Sequence, residues 1–175
     1  GQNFYVQVLQ FDDVPTFHQG VKASHQQDTV EMCLNGNFPD GFQFSILKLP
    51  DGTDAIVRRR FFSDIKETLL DPQHCPRIVK VLPNAIQVSE RSLLESIYGV
   101  DMSECKVIVT EFKLPIDAGT YAPAEKDVFP LGPGKTFWIG FMIDDNDEPG
   151  TDVQECITWP PTFGAFNPKE DGAIA

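Results

Sequence analysis

The stretch Gly41-Phe42-Gln43-Phe44-Ser45-Ile46-Leu47-Lys48-Leu49, then Pro50-Asp51-Gly52-Thr53, then Ala55-Ile56-Val57-Arg58-Arg59-Arg60-Phe61-Phe62, decides the fold class. Phe42, Phe44 and Ile46 recur at every second position, so an extended chain puts them on one face. The Pro-Asp-Gly-Thr break carries the residues that tight reversals use. The three pieces together predict a β-hairpin.

Outward from that hairpin the same character continues. Phe4-Tyr5-Val6-Gln7-Val8-Leu9 is rich in aromatic and branched residues and stops at the turn cluster Asp12-Asp13-Val14-Pro15. Thr29-Val30-Glu31-Met32-Cys33-Leu34 reads as a strand closed by Asn35-Gly36-Asn37, and Ile86-Gln87-Val88 and Lys106-Val107-Ile108-Val109-Thr110-Glu111-Phe112 as two more. Thr136-Phe137-Trp138-Ile139-Gly140-Phe141-Met142-Ile143 is almost continuously apolar, which predicts a central strand covered on both faces. Cys156-Ile157-Thr158-Trp159 is a short strand ended by Pro160-Pro161. Two short helices are expected. Asp64-x-x-Glu67 has the form of a capping box opening a helix that Asp71-Pro72 ends. Ser89 caps a second, with Leu93, Leu94 and Ile97 on one face and a stop at Gly99. Many short strands with few helices predict a mainly-β fold, an antiparallel, jelly-roll-like β-sandwich. Its expected core is Phe42, Phe44, Ile46, Ile108, Phe112, Ile139 and Phe141. Residues 1–166 form one domain and 167–175 a tail.

Composition narrows the function. The chain has 175 residues, 14 Lys+Arg against 26 Asp+Glu, and a formal net charge of −12. Arg58-Arg59-Arg60 is its one cationic cluster, so no nucleic-acid partner is expected. No apolar run approaches the roughly 20 residues that span a bilayer, so no membrane insertion is expected. The opening GQNFYVQV lacks the basic start and apolar middle of a signal peptide, which fits a mature, processed chain or one never exported. Cys33, Cys75, Cys105 and Cys156 show no zinc-binding spacing. They fit two disulfides of an oxidising compartment, with three possible connectivities, or four buried thiols.

The densest chemical signal is Asp144-Asp145-Asn146-Asp147-Glu148-Pro149-Gly150. Acidic and amide side chains so close together repel unless a cation neutralises them, and calcium takes six to eight hard oxygens. Asp145 and Asp147 are the first ligands to expect, with Asp144 or Glu148 assisting; the alternative is a solvated turn. The twelve-residue EF-hand pattern is not met. Nucleophilic catalysis finds little support. No GxSxG, GxGxxG or P-loop occurs, His18, His25 and His74 fall in no nucleophile–base motif, and 26 acids always offer carboxylate pairs, so such a pair carries no information. The chain is therefore read as a non-enzyme. Of the two tryptophans, Trp138 reads as core, and Trp159 as the candidate platform for the C–H face of a sugar ring.

Read together, these segments resemble the family 9 carbohydrate-binding modules and their sugar-binding-like, DOMON-related kin. Phe4-Tyr5-Val6-Gln7-Val8 with Asp12-Asp13 resembles the family's "LYVaV…DD" strand and turn, and Gln27-Asp28-Thr29-Val30-Glu31-Met32 its "q(N/G)DSVE(I/L)" signature. Glu111-Phe112-Lys113-Leu114-Pro115 is similar to its "yEf-IP" strand. The run from Trp138 to Asp147, with Ile157-Thr158-Trp159 and Phe163-Gly164, resembles its closing motif. The likeness covers roughly residues 3–60 and 105–166, with 61–104 reading as an insertion that holds the short helices. The family's usual opening strand is absent. His25-Gln26-Gln27 stand where its earlier clamp aromatic is expected, so Trp159 matches only the later one.

The resemblance implies an extracellular, non-catalytic module that binds a polysaccharide or glycan and holds structural Ca2+. Trp159 would stack on the sugar, with Gln27, Glu31 and Arg59 bonding its hydroxyls. Asp28 would join Asp144, Asp145, Asp147 and Glu148 around calcium from a neighbouring strand end. Cys75 and Cys105 bracket the insertion and are the expected disulfide, leaving Cys33 with Cys156. Two further readings stand beside this one. A structural or assembly subunit of an extracellular filament or complex would let another protein chain fill the edge left by the missing strand. A haem-binding relative would draw axial ligands from Met142 and the histidines.

Overall fold

The hairpin forms as its alternation dictates. Phe42–Lys48 and Asp54–Arg60 pair antiparallel, with Phe44 opposite Arg58 and Ile46 opposite Ile56. Gly52 takes φ 84°, the left-handed conformation glycine adopts without a Cβ clash, and its N–H bonds the Leu49 carbonyl at 2.8 Å. Asp51 closes the turn by accepting from the Thr53 N–H at 2.9 Å.

The computed structural model describes residues 3–17, 26–34, 42–60, 68–83, 88–99, 101–115, 139–148 and 155–159. In them lie β1 (Asn3–Asp12), β2 (Thr29–Leu34), β3 (Phe42–Lys48), β4 (Asp54–Arg60), β5 (Thr68–Leu69), β6 (Arg77–Leu82), α1 (Val88–Tyr98), β7 (Lys106–Pro115), β8 (Ile139–Asp145) and β9 (Glu155–Trp159). A three-stranded sheet, β1-β7-β6, faces a six-stranded one, β5-β4-β3-β2-β8-β9, and every pairing is antiparallel. The chain is a mainly-β sandwich.

The core lies between the sheets. Met32, Leu34, Phe42, Phe44, Ile46 and Ile56 meet Ile108, Phe112 and Leu114, with Ile139 and Phe141 packed partly buried against them. The seven residues expected in the core are all in or against this cluster. The centre of the large sheet is β2 and β3, not β8. Every β2 residue is buried, whereas β8 alternates between buried and half-buried positions next to β9. On the far face of the large sheet, Leu47, Ala55 and Val57 form a small cluster of their own.

The segment read as an insertion is part of both sheets, giving β5 to the large one and β6 to the small one. The helix expected to run to Asp71 does not include Thr68 and Leu69, which form β5 and pair antiparallel with β4, Leu69 opposite Val57. Its first residues, 61–67, lie outside the described residues, as do 84–87, Trp138, His18, His25 and 167–175. Val88, expected as the end of a strand, begins α1 instead. That helix ends at Gly99, φ 71°, whose N–H bonds the Glu95 carbonyl at 2.8 Å. Leu93 and Ile97 share a face as the 3.6-residue period requires, but that face is exposed rather than packed on the sandwich.

Candidate functional site

Strand parity sorts the polar residues of the large sheet. Val30, Met32 and Leu34 look into the sandwich, so Thr29, Glu31 and Cys33 look out of it. Glu31 is paired with Ser45 in register, and the Ser45 hydroxyl donates to its carboxylate at 2.8 Å. The Gln43 amide also donates to Glu31. An Arg59 guanidinium nitrogen stands 3.7 Å from the carboxylate and donates to Ser45 Oγ at 3.0 Å. Asp144 belongs to the same face, opposite Thr29 and Cys156. Burial and then the nearby Glu31 charge push its carboxyl up to about 8, with the neighbouring Cys156 thiol acting the other way. Glu31, Gln43, Ser45 and Asp144 are buried. This is a buried polar network on the outer face of the sheet.

A second polar group closes one end of the sandwich, between the sheets. Asp12 ends β1, Asp145 ends β8, and Asp147 follows it in the loop. One carboxylate oxygen from each lies within 4.8 Å of the others. Asp28 braces this end. Its carboxylate accepts the Asn146 N–H at 3.0 Å and the Thr16 N–H, and its own N–H returns a bond to the Thr16 carbonyl at 2.8 Å. Asp12 accepts the Val14 N–H at 2.7 Å, and its carboxyl lies near enough to Asp28 for each to influence the other. Burial is the main reason that the Asp28 carboxyl is raised to about 8, with the Asp12 charge adding to it. Asp12 is raised by burial too, and by the Asp147 and Asp13 charges.

The acid loop therefore divides by parity. Asp145 and Asp147 turn to the end of the sandwich, and Asp144 turns to Glu31 on the outer face. Glu148 is exposed, and its N–H bonds Asn146 Oδ1 at 2.9 Å. Asp28 acts on backbone donors next to the carboxylate group rather than within it. Asp12 is the member that sequence reasoning missed. It was visible as half of the Asp12-Asp13 turn, but its closeness to Asp145 depends on how the two sheets face each other.

Trp159 ends β9 opposite Phe141, on the side of the sheet that faces the core. It is nonetheless 59% exposed, its ring centroid 6.4 Å from that of Phe141. Glu31 and Arg59 lie on the other face, and Gln27 is fully buried. The structure thus separates the tryptophan from the three side chains expected beside it.

The four cysteines are free. Cys33 stands opposite Gly140 and Cys156 opposite Asp144, so two strand spacings and four residues separate them. That is about 10 Å by about 13 Å, against the roughly 4.4–6.8 Å between Cα atoms that a disulfide spans. Cys75 sits by Pro76, whose carbonyl takes the Lys113 N–H, while Cys105 precedes Lys106 at the other end of β7. Both expected bridges are therefore absent. Cys75 instead fills the main core, where burial pushes its thiol up to about 11.

No helix among the described residues is long and apolar enough to cross a membrane. No family model matches the chain, and no curated protein sequence does. Among solved structures it is similar to a candidate carbohydrate-binding protein from Bacteroides uniformis, at TM-score 0.52 and 13% identity, over 91% of this chain and 64% of that one. It also matches a family 9 carbohydrate-binding module from Caldicellulosiruptor kristjanssonii, solved in complex with glucose, at TM-score 0.38 and 14% identity, over 89% of this chain and 60% of that one. The chain spans less than two thirds of the length of either. The first of these shares the fold of this chain.

Proposed function

We propose that the chain is a non-catalytic carbohydrate-binding module of an extracellular protein, with Trp159 as its platform. The observation that carries this reading is the open Trp159 ring, 59% exposed on a fold shared with a candidate carbohydrate-binding protein. A flat aromatic in solvent matches the C–H face of a pyranose, and stacking adds about 0.5–1.5 kcal/mol beyond area burial. One such platform reaches roughly millimolar affinity, about −4 kcal/mol. Trp159→Ala should abolish retention on an immobilised polysaccharide in affinity electrophoresis, while circular dichroism and the melt stay those of the parent chain. Unchanged retention would overturn the platform.

Calcium belongs to the same reading. Asp12, Asp145 and Asp147 offer hard oxygens from both sheets within 4.8 Å of one another, and a dication there would join β1 to the end of β8. Extracellular modules bind calcium at roughly 10⁻⁴–10⁻³ M, a level that suits three carboxylates at a partly open end. The sugar contact at Trp159 would not need the ion, because β9's far end separates them.

One observation favours the assembly reading as well. Among the described residues β1 pairs only with β7, along ten residues, which leaves an edge to which another chain could add a strand. Concentration-dependent oligomers in sedimentation would favour that reading, and a monomer throughout would remove it.

A further inference from the structure

We propose that the outer face of the three-stranded sheet carries a second carbohydrate contact, a trough across β7 that takes one neutral pyranose unit. It lies on the opposite side of the sandwich from the large sheet, so it extends the carbohydrate reading without using Trp159. The trough is an open, shallow depression of about 450 Å3, lined by Tyr5, Gln7, Pro76, Ile78, Glu111 and Lys113, among others.

Its shape follows from the register. Tyr5 lies opposite Lys113, while Gln7 and Ile78 flank Glu111 from β1 and β6. Pro76 precedes β6 and gives its carbonyl to the Lys113 N–H at 2.9 Å. Two strand spacings, about 10 Å, separate the walls, and β7 is the floor. One wall is Tyr5, 76% exposed, and the other is Pro76 with Ile78. The floor presents a carboxylate and an ammonium two residues apart. The Gln7 amide donates to Glu111, which fixes both groups and leaves carboxylate lone pairs for a ligand.

That combination selects among ligands. Vicinal sugar hydroxyls donate and accept, which suits Glu111 and Lys113 together, and the ring's C–H faces suit Tyr5 and the aliphatic wall. A lipid chain would strip water from the two floor charges without pairing them. An extended peptide that binds by strand addition needs a free edge, and β7 is bonded on both sides.

The test is a backbone NMR titration with cellotetraose, xylotetraose and mannotetraose. For at least one of them, shifts should cluster at Tyr5, Gln7, Ile78 and Lys113 and persist in Trp159→Ala. Tyr5→Ala and Lys113→Ala should each weaken that contact about threefold to tenfold, the factor expected for one stacking or hydrogen-bonding partner, with unchanged melts. Loss of all binding in Trp159→Ala with none lost in Tyr5→Ala would overturn the trough and leave the platform. Shifts at the Tyr5 cluster that survive Trp159→Ala support the trough even where no shift appears at Trp159. Shifts that follow protein concentration rather than sugar would overturn the trough and make this face a contact between copies.

Discussion

The molecule buries carboxylates in two places and treats them in opposite ways. On the outer face of the large sheet, Glu31 meets Ser45, Gln43 and the Arg59 guanidinium, so donors and a positive charge surround one acid. At the end of the sandwich, Asp12 and Asp28 are neighbouring buried acids, and the charges of Asp147 and Asp13 act on Asp12 as well. A buried charge is tolerable when its partners complete it. Glu31 has its partners in the chain, although burial and the Glu31 charge push the neighbouring Asp144 carboxyl up; the acids at the end of the sandwich have mainly one another. The difference separates a fixed structural element from one that responds to its surroundings.

The largest effect should come from the self-contained network. Glu31→Ala leaves Arg59, Gln43 and Ser45 facing a gap, and about 3–5 kcal/mol of stability should be lost in urea unfolding. Glu31→Gln should cost less, since it keeps the shape and one acceptor. Next, Asp28→Ala takes the shared acceptor from the Thr16 and Asn146 N–H groups, and about 2–3 kcal/mol should go.

Calcium divides the two regions more sharply. At a hundredfold excess over its dissociation constant it should stabilise by about 2.7 kcal/mol, and EDTA should reverse the gain. Asp147→Asn should remove this response and Glu31→Gln should not. An unchanged melt with calcium and with EDTA would reduce the acidic end to a solvated turn.

The pH dependence has a definite sign. Asp28 and Asp144 are raised to about 8 in the folded chain from an ordinary value of 3.8. The unfolded chain ionises first, so their contribution is fully present below pH 4 and is lost as pH rises towards 8. The melting temperature should therefore fall between pH 5 and 8, and Asp144→Asn should lessen the fall. The smallest effect is expected at Cys156. Its thiol lies opposite Asp144 from an exposed position, and Cys156→Ser keeps a small polar side chain there, so stability should change by less than about 0.5 kcal/mol.

Period-two alternation and turn chemistry made β1 to β4 and β7 legible, because both act over a few neighbouring residues. Arg77-Ile78-Val79-Lys80-Val81-Leu82 alternates no less well, but it sits where the family resemblance ends and was read as insertion. The two faces of β9 were not legible. Whether Trp159 joins Glu31 or Phe141 depends on how β9 registers against β8, and nothing local to Ile157-Thr158-Trp159 fixes that. The cysteines failed for a related reason: an even count is compatible with bridges, but the four-residue offset between Cys33 and Cys156 exists only in the folded sheet. Asp145 and Asp147 were found from loop composition alone, whereas Asp12 needed the opposing sheet.

The Asp28 brace has a kinetic consequence. It bonds Thr16, 12 residues earlier, and Asn146, 118 residues later, so it closes only when both halves of the chain are in place. Contacts of such separation in sequence form late, after the hairpins that need only local closure. Weakening the brace should therefore speed unfolding and leave refolding almost unchanged. The brace would set how long the folded chain lasts more than how fast it is made.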